Sequence, residues 1–117
     1  MTTPTSIATT DLPATVRDYL AAHTARDTDA ALAAFTATAV VVDDGHTYRG
    51  TDEVRGFLAD AGGEFTYTTD LVAAQRVDAD RWTATLHLEG DFPGGVVDLV
   101  YRFVLAGDRI AELVIAP

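Results

Sequence analysis

Apolar residues recur at three- and four-residue intervals in the first half of this chain and at every second position from Glu64 onward, so helices should come first and strands after. The spacing predicts a helix over residues 12–25. Val16, Tyr19, Leu20 and His23 share one side of it, Asp11 fits the N-cap and Pro13 the first turn. A second short helix follows in "RDTDAALAAF", capped by Asp27 or Thr28 and turning Leu32 and Phe35 inward. "AVVVD" is too short and too β-branched for a helix and reads as a strand ending at Asp43. After the turn at Gly45, "HTYRG" forms a short return strand. Thr51 caps a third helix, with Asp52 and Glu53 in its first turn and Val54, Phe57, Leu58 and Ala61 on its buried face; "AGG" at 61–63 closes it.

The period of two then carries four strands, "FTYTTDLVAAQRV", "RWTATLHLEGDF", "VVDLVYRFVL" and "RIAELVIA", parted by the turns "DAD", "PGG" and "AGD". Connections this short make antiparallel hairpins. With Asp91 opposite Val96, Leu88 meets Leu99, Leu86 meets Tyr101, Ala84 meets Phe103 and Trp82 meets Leu105. Ala111, Leu113, Ile115, Phe65, Tyr67, Leu71 and Ala73 extend this apolar face, and Gln75 has the same inward parity. The order predicts an α+β cone, a curved antiparallel sheet whose apolar face is covered by three N-terminal helices. The opposite face mixes Thr83, Thr85, His87, Glu89, Asp98, Arg102 and Glu112 with Val72, Val100, Val104, Ile110 and Val114. Arg102 and Glu112 should pair across strands. So apolar an outer face predicts a homodimer formed through it.

A length of 117 residues allows one domain, assigned to 12–117 behind a Thr-rich tail, 1–11, expected to be disordered. That tail has neither the basic region nor the apolar run of a secretory signal, and no window approaches a membrane span, so a cytoplasmic location is expected. The formal charge of −10 argues against nucleic-acid and anionic-membrane partners. All eight basic residues are Arg, and the absence of Cys excludes thiolate chemistry and disulfides.

Three stretches, "YLAAHTARDTDAALAAFTATAVVVDD", "YRGTDEVRGFL" and "YRFVLAGDRIAEL", resemble the nuclear transport factor 2-like superfamily, in its SnoaL-like and ketosteroid-isomerase-like branches. The resemblance covers residues 12–117 and implies a pocket inside the cone. It places a tyrosine donor at Tyr19 and a general-base aspartate at Asp43. The chemistry implied is proton transfer beside a carbonyl, with an Asp base and a hydrogen-bonded oxyanion. The third partner, a protonated acid, falls on Leu99, and Asp98 beside it has the wrong parity. Losing one oxyanion donor typically costs ~10²–10³ in rate. An isomerase or polyketide-cyclase type of enzyme acting on an apolar cyclic carbonyl compound is therefore implied, with no cofactor. The alternative is a non-catalytic ligand-binding or accessory module.

Each candidate has a plainer reading. Asp43 or Asp44 can cap the turn at Gly45. Tyr19 can be a core aromatic. His23 can line the pocket or act as acid/base, or sit as an imidazolium against its helix dipole. Tyr67, Trp82 and Tyr101, with Phe57 and Leu99, are placed as cavity wall for a small apolar or aromatic ligand. His87, Glu89, Asp70 and Asp98 neighbour one another outside, but lack HxH or HxxxH spacing, so no metal is expected. Arg49 can reach Asp43 or Asp44 or lie on the surface. The Asp-Arg-Asp relay of an epoxide hydrolase would need a second inward acid.

Overall fold

The structure is a computed structural model describing residues 3–60 and 65–117. Helix α1 (Ala14–Thr24) and α2 (Thr28–Ala33) lead into β2 (Phe35–Asp43) and β3 (His46–Arg49), and α3 (Gly50–Asp60) precedes β4 (Tyr67–Arg76), β5 (Arg81–Gly90), β6 (Val96–Ala106) and β7 (Arg109–Ala116). Ahead of them all, β1 (Thr5–Ile7) lies antiparallel to β4 with Thr5 opposite Arg76. The tail expected to be disordered is thus part of the sheet from Thr5. Threonine is polar but β-branched, and Ile7 and Leu12 give the segment an apolar anchor.

Helix signals act locally. Asp27 accepts a hydrogen bond from the Ala30 amide at 3.1 Å and caps α2 as expected. Asp11 does not cap α1; it sits in a 3-10 turn (Thr9–Asp11), and Pro13 takes the cap position without a side-chain bond. At α3 the capping group is Glu53, whose carboxylate accepts from the Arg49 amide at 3.0 Å. The expected "AGG" stop and Ala61 lie outside the described residues.

The seven strands form one sheet in the order β1-β4-β5-β6-β7-β2-β3. All pairs are antiparallel except β2 beside β7, which is parallel with Asp43 opposite Ile115. Chain order explains this: β4 to β7 are a meander, and the chain must pass from β3 at one edge to β4 near the other. α3 makes that crossing and packs Val54, Phe57 and Leu58 into the core. Val16, Tyr19 and Leu20 of α1 complete the cover over Val41, Ala84, Leu86, Phe103, Ile110 and Leu113. No polar side chain is fully buried among the described residues, so the core's stability is apolar burial, about 25 cal/mol per Å².

Face assignments from alternation hold where strands are regular and fail at bulges. Leu86 is opposite Leu99, Ala84 opposite Tyr101 and Trp82 opposite Phe103, a slip of two residues from the expected register. A slip of two leaves every side chain on its face. The β6–β7 ladder likewise sets Arg102 opposite Val114 and Glu112 opposite Val104, so the expected Arg102–Glu112 pair does not form. A bulge between Leu71 and Ala73 reverses parity beyond it. Ala74, not Ala73, is buried, and Gln75 turns outward to accept a hydrogen bond from Thr83 at 3.4 Å. A second irregularity opposite Val104 and Leu105 takes Ala111 out of the ladder and turns Ile110 inward, fully buried. In both cases the bulge lets an apolar side chain reach the core.

Gly90 ends β5 where Tyr67 crosses it: a Cβ there would stand 2.4 Å from the Thr66 carbonyl oxygen and 2.5 Å from the Tyr67 Cβ. Gly56 in α3 has open space around it. Gly90→Ala should lower unfolding free energy in urea by about 1–3 kcal/mol. Gly56→Ala should raise it by about 0.5–1 kcal/mol. Equal effects of the two would contradict the crossing.

Candidate functional site

Strands, helices and a loop converge on an open cavity of about 670 Å³, within the range of small-molecule sites. Parallel pairing sets Asp43 in line with Ile115, and the β6–β7 ladder sets Ile115 in line with Tyr101, so all three point to the concave face. Leu88, Val97 and Leu99 continue the floor along β5 and β6. Phe57 comes from α3, Tyr67 from β4 and His23 from the last turn of α1. The β5–β6 loop closes one side: Phe92 meets Phe65 and Tyr67 edge-on, with ring centroids 6.2 and 6.4 Å apart.

Asp43 is half-buried, and no described residue donates a hydrogen bond to its carboxylate. Burial raises its pKa from the ordinary 3.8, the Asp44 charge adds to this, and His46 opposes it. The turn does not need either acid as a cap. Asp44 and Gly45 both have positive φ, 51° and 76°, the geometry of a two-residue hairpin turn. Asp44 is exposed yet also lines the cavity, so the two acids share it with unequal burial.

Tyr19 stands elsewhere than the resemblance implies. It is fully buried, and it does not line the cavity; its hydroxyl has no partner among the described residues. Its ring packs edge-on against Phe35 at 5.2 Å and Phe103 at 5.9 Å and stacks on His23 at 5.7 Å. Burial raises its pKa well above the usual 10.0, with Tyr101, Asp43 and Tyr67 adding to the effect. The hydroxyl therefore lies within electrostatic reach of cavity residues, but behind the wall. Tyr101 is in the wall itself, and burial holds its hydroxyl protonated.

His23 lines the cavity, where burial opposes the imidazolium of its plainer reading. The C-terminal dipole of α1 favours a positive charge by less than ~1 kcal/mol at most exposed sites. Burial acts the other way and is the first cause of a lowered pKa, followed by the Arg26 guanidinium. Arg26 is held there by the helix end: it has φ 56° and is followed by an Asp27 amide bond to the Ala22 carbonyl at 2.9 Å.

Of the expected cavity residues, Phe57, Tyr67, Leu99, Tyr101, His23 and Asp43 come together, and Trp82 does not. Six residues from Leu88, it lies ~20 Å along β5. The Arg76 guanidinium sits 5.5 Å over its ring. The alternation that placed Trp82 inward specifies a face, not a depth along the cone. Phe92, expected at the end of the strand "RWTATLHLEGDF", lies beyond Gly90 in the β5–β6 loop, and with Pro93 it lines the cavity from there. Arg49 is exposed and no Arg lines the cavity. On the outer face His87 contacts Asp98 at 2.5 Å and Glu89 at 3.6 Å. Among the described residues no group of three His, Asp or Glu is placed to hold a metal, and no helix is long and apolar enough to cross a membrane.

The fold is shared with solved structures. A candidate polyketide cyclase from Sinorhizobium meliloti is 32% identical over 94% of this chain and 100% of its own, with a TM-score of 0.85. A protein of ketosteroid isomerase-like fold from Catenulispora acidiphila, in complex with trimethylamine, is 21% identical over 90% and 85%, with a TM-score of 0.77. A Mycobacterium tuberculosis protein in complex with estradiol-17β-hemisuccinate is 17% identical over 88% and 90%, with a TM-score of 0.71. No curated protein matches the sequence. The SnoaL-like domain profile matches residues 16–113, and with this fold around it the chain belongs to the SnoaL-like family of the nuclear transport factor 2-like superfamily.

Proposed function

We propose that this chain is a proton-transfer enzyme of isomerase or polyketide-cyclase type acting on an apolar cyclic carbonyl compound. One observation carries the reading: a carboxylate, Asp43, unpaired and half-buried, opens into an aromatic cavity large enough for a ring system. A base of raised pKa is closer in strength to the weak carbon acid it must deprotonate. Asp43 takes the proton from the carbon next to the carbonyl. That C–H bond breaks, an O–H bond forms on Asp43, and the electron pair moves to the carbonyl oxygen. The proton then returns from Asp43 to carbon, or the enolate carbon attacks a second carbonyl in a cyclisation. The 32% identical candidate cyclase supports this substrate class.

The donor to the enolate oxygen is assigned to Tyr101, whose side chain lines the cavity and whose hydroxyl is favoured as protonated by burial, with Tyr19 outside the lining. The second reading is a ligand-binding module without catalysis; Leu99, an apolar residue in the wall where the resemblance places an acid, favours it. A second copy is proposed on the outer face, where Val40, Val42, Val100, Val104 and Val114 are half-buried and Val72 is 55% exposed. Light scattering behind size exclusion should give a dimer at micromolar concentration; a monomer there removes that proposal.

Proton exchange next to the carbonyl of 2-tetralone, followed by NMR in D₂O, tests the chemistry. Asp43→Asn should slow exchange by at least ~10²-fold. Tyr101→Phe should cost ~10²–10³ and Tyr19→Phe far less. Exchange no faster than in buffer with wild-type protein would leave the binding-module reading.

Asp43 should also work against stability. Its folded pKa lies above 3.8, so between the two values the unfolded chain holds fewer protons than the folded one. The folding advantage of the protonated form is present below pH 3.8 and lost as pH rises through the folded value. Asp43→Asn should therefore melt higher than wild type at pH 7, and the gap should close on acidification. A lower melting temperature at pH 7 would show the carboxylate to be stabilised in place.

A further inference from the structure

We propose that His23 is a further catalytic residue, a neutral imidazole whose N–H donates the second hydrogen bond to the substrate oxygen that Leu99 cannot supply. The inference rests on the reading of Asp43 as base and adds a group to it. His23 stands at a junction. It lines the main cavity with Asp43 and Tyr101, and also the adjoining cleft between Tyr67, Leu88 and Tyr101. One ring face is covered by Tyr19, whose plane is within 8° of parallel. The stack fixes the plane of the imidazole and leaves the nitrogens at its edge. No described residue hydrogen-bonds to either nitrogen, although Asp27 and Asp43 lie in the same cavities. A half-buried polar ring that stacks on Tyr19, lines the cavity and has no hydrogen bond from a described residue at either nitrogen is placed to meet a ligand.

The protonation state suits that role. A neutral imidazole always carries one N–H, and burial together with the Arg26 charge keeps it neutral. Hydrogen bonding to the developing oxyanion requires no transfer of that proton. The C–H proton still goes to Asp43 and back, and His23 begins and ends the cycle neutral. Oxyanion sites commonly use two donors, and here they come from different elements, Tyr101 from β6 and His23 from α1. Tyr19 then becomes the positioning residue for the imidazole.

The probe is 2-naphthol, an aromatic analogue of the enol of 2-tetralone, titrated against wild type, His23→Phe, His23→Gln and Asp43→Asn by fluorescence. Phenylalanine keeps the stack and removes the donor; glutamine restores an N–H. We expect His23→Phe to weaken binding about tenfold or more, His23→Gln to stay within roughly threefold of wild type, and Asp43→Asn to bind as tightly or better. Imidazole ¹⁵N NMR at pH 7 should show a neutral ring whose protonated nitrogen shifts when 2-naphthol binds. Wild-type binding that responds to Asp43→Asn but not to either His23 variant overturns the role of His23 and leaves Asp43 standing. An imidazolium at pH 7 also overturns it, even if His23→Phe fails to fold. No binding of 2-naphthol by any of the proteins overturns this inference and the base reading together.

Discussion

The parallel contact between β2 and β7 positions the rest of the cavity. It is the parallel pairing among the described strands, and it joins β2 to the last strand of the chain. Through it Asp43 is aligned with Ile115, and through the next ladder with Tyr101, so the acid and the phenol share a row of the concave face. The connection that makes it necessary is α3, which carries the chain across the sheet and brings Phe57 with it. Topology and site are one arrangement: the crossing that lets β2 end beside β7 also roofs the cavity.

Within that frame the polar groups are few and unequal. Two adjacent acids open on the same space, one half-buried and the other exposed, and burial raises the basicity of the half-buried Asp43. The same burial keeps Tyr101 protonated and His23 neutral. A single low-dielectric environment thus favours the neutral form of each titratable group it covers. The aromatic rings that make the space apolar therefore also bias the protonation of the groups that line it.

The sequence carries the element order legibly because apolar periodicity is a local record of which side of each element meets the core. It carries the site in part. Asp43, His23, Phe57, Tyr67, Leu99 and Tyr101 could be placed by parity and resemblance. Trp82 and Tyr19 could not, because parity says which face a residue is on but not how far along the cone it lies or what packs over it. Gln75 and Ile110 were misplaced for one shared reason. A bulge adds a single residue to a strand, shifts all later parity, and leaves no reliable mark in composition. Thr5–Ile7 was misread because polarity outweighed branching at the β-carbon.

That short N-terminal strand has a consequence for the company the protein keeps. β4 is ten residues long and has only β5 on its other side, so without β1 its outer row of amides and carbonyls would face solvent. β1 occupies part of that row, and the opposite edge of the sheet is closed by the four-residue β3. Short strands lie at both borders of the seven-stranded sheet, one covering Ala74–Arg76 of β4 and the other the end of β2. Three residues, Thr5–Ile7, thus shorten the open row against which another extended chain could pair.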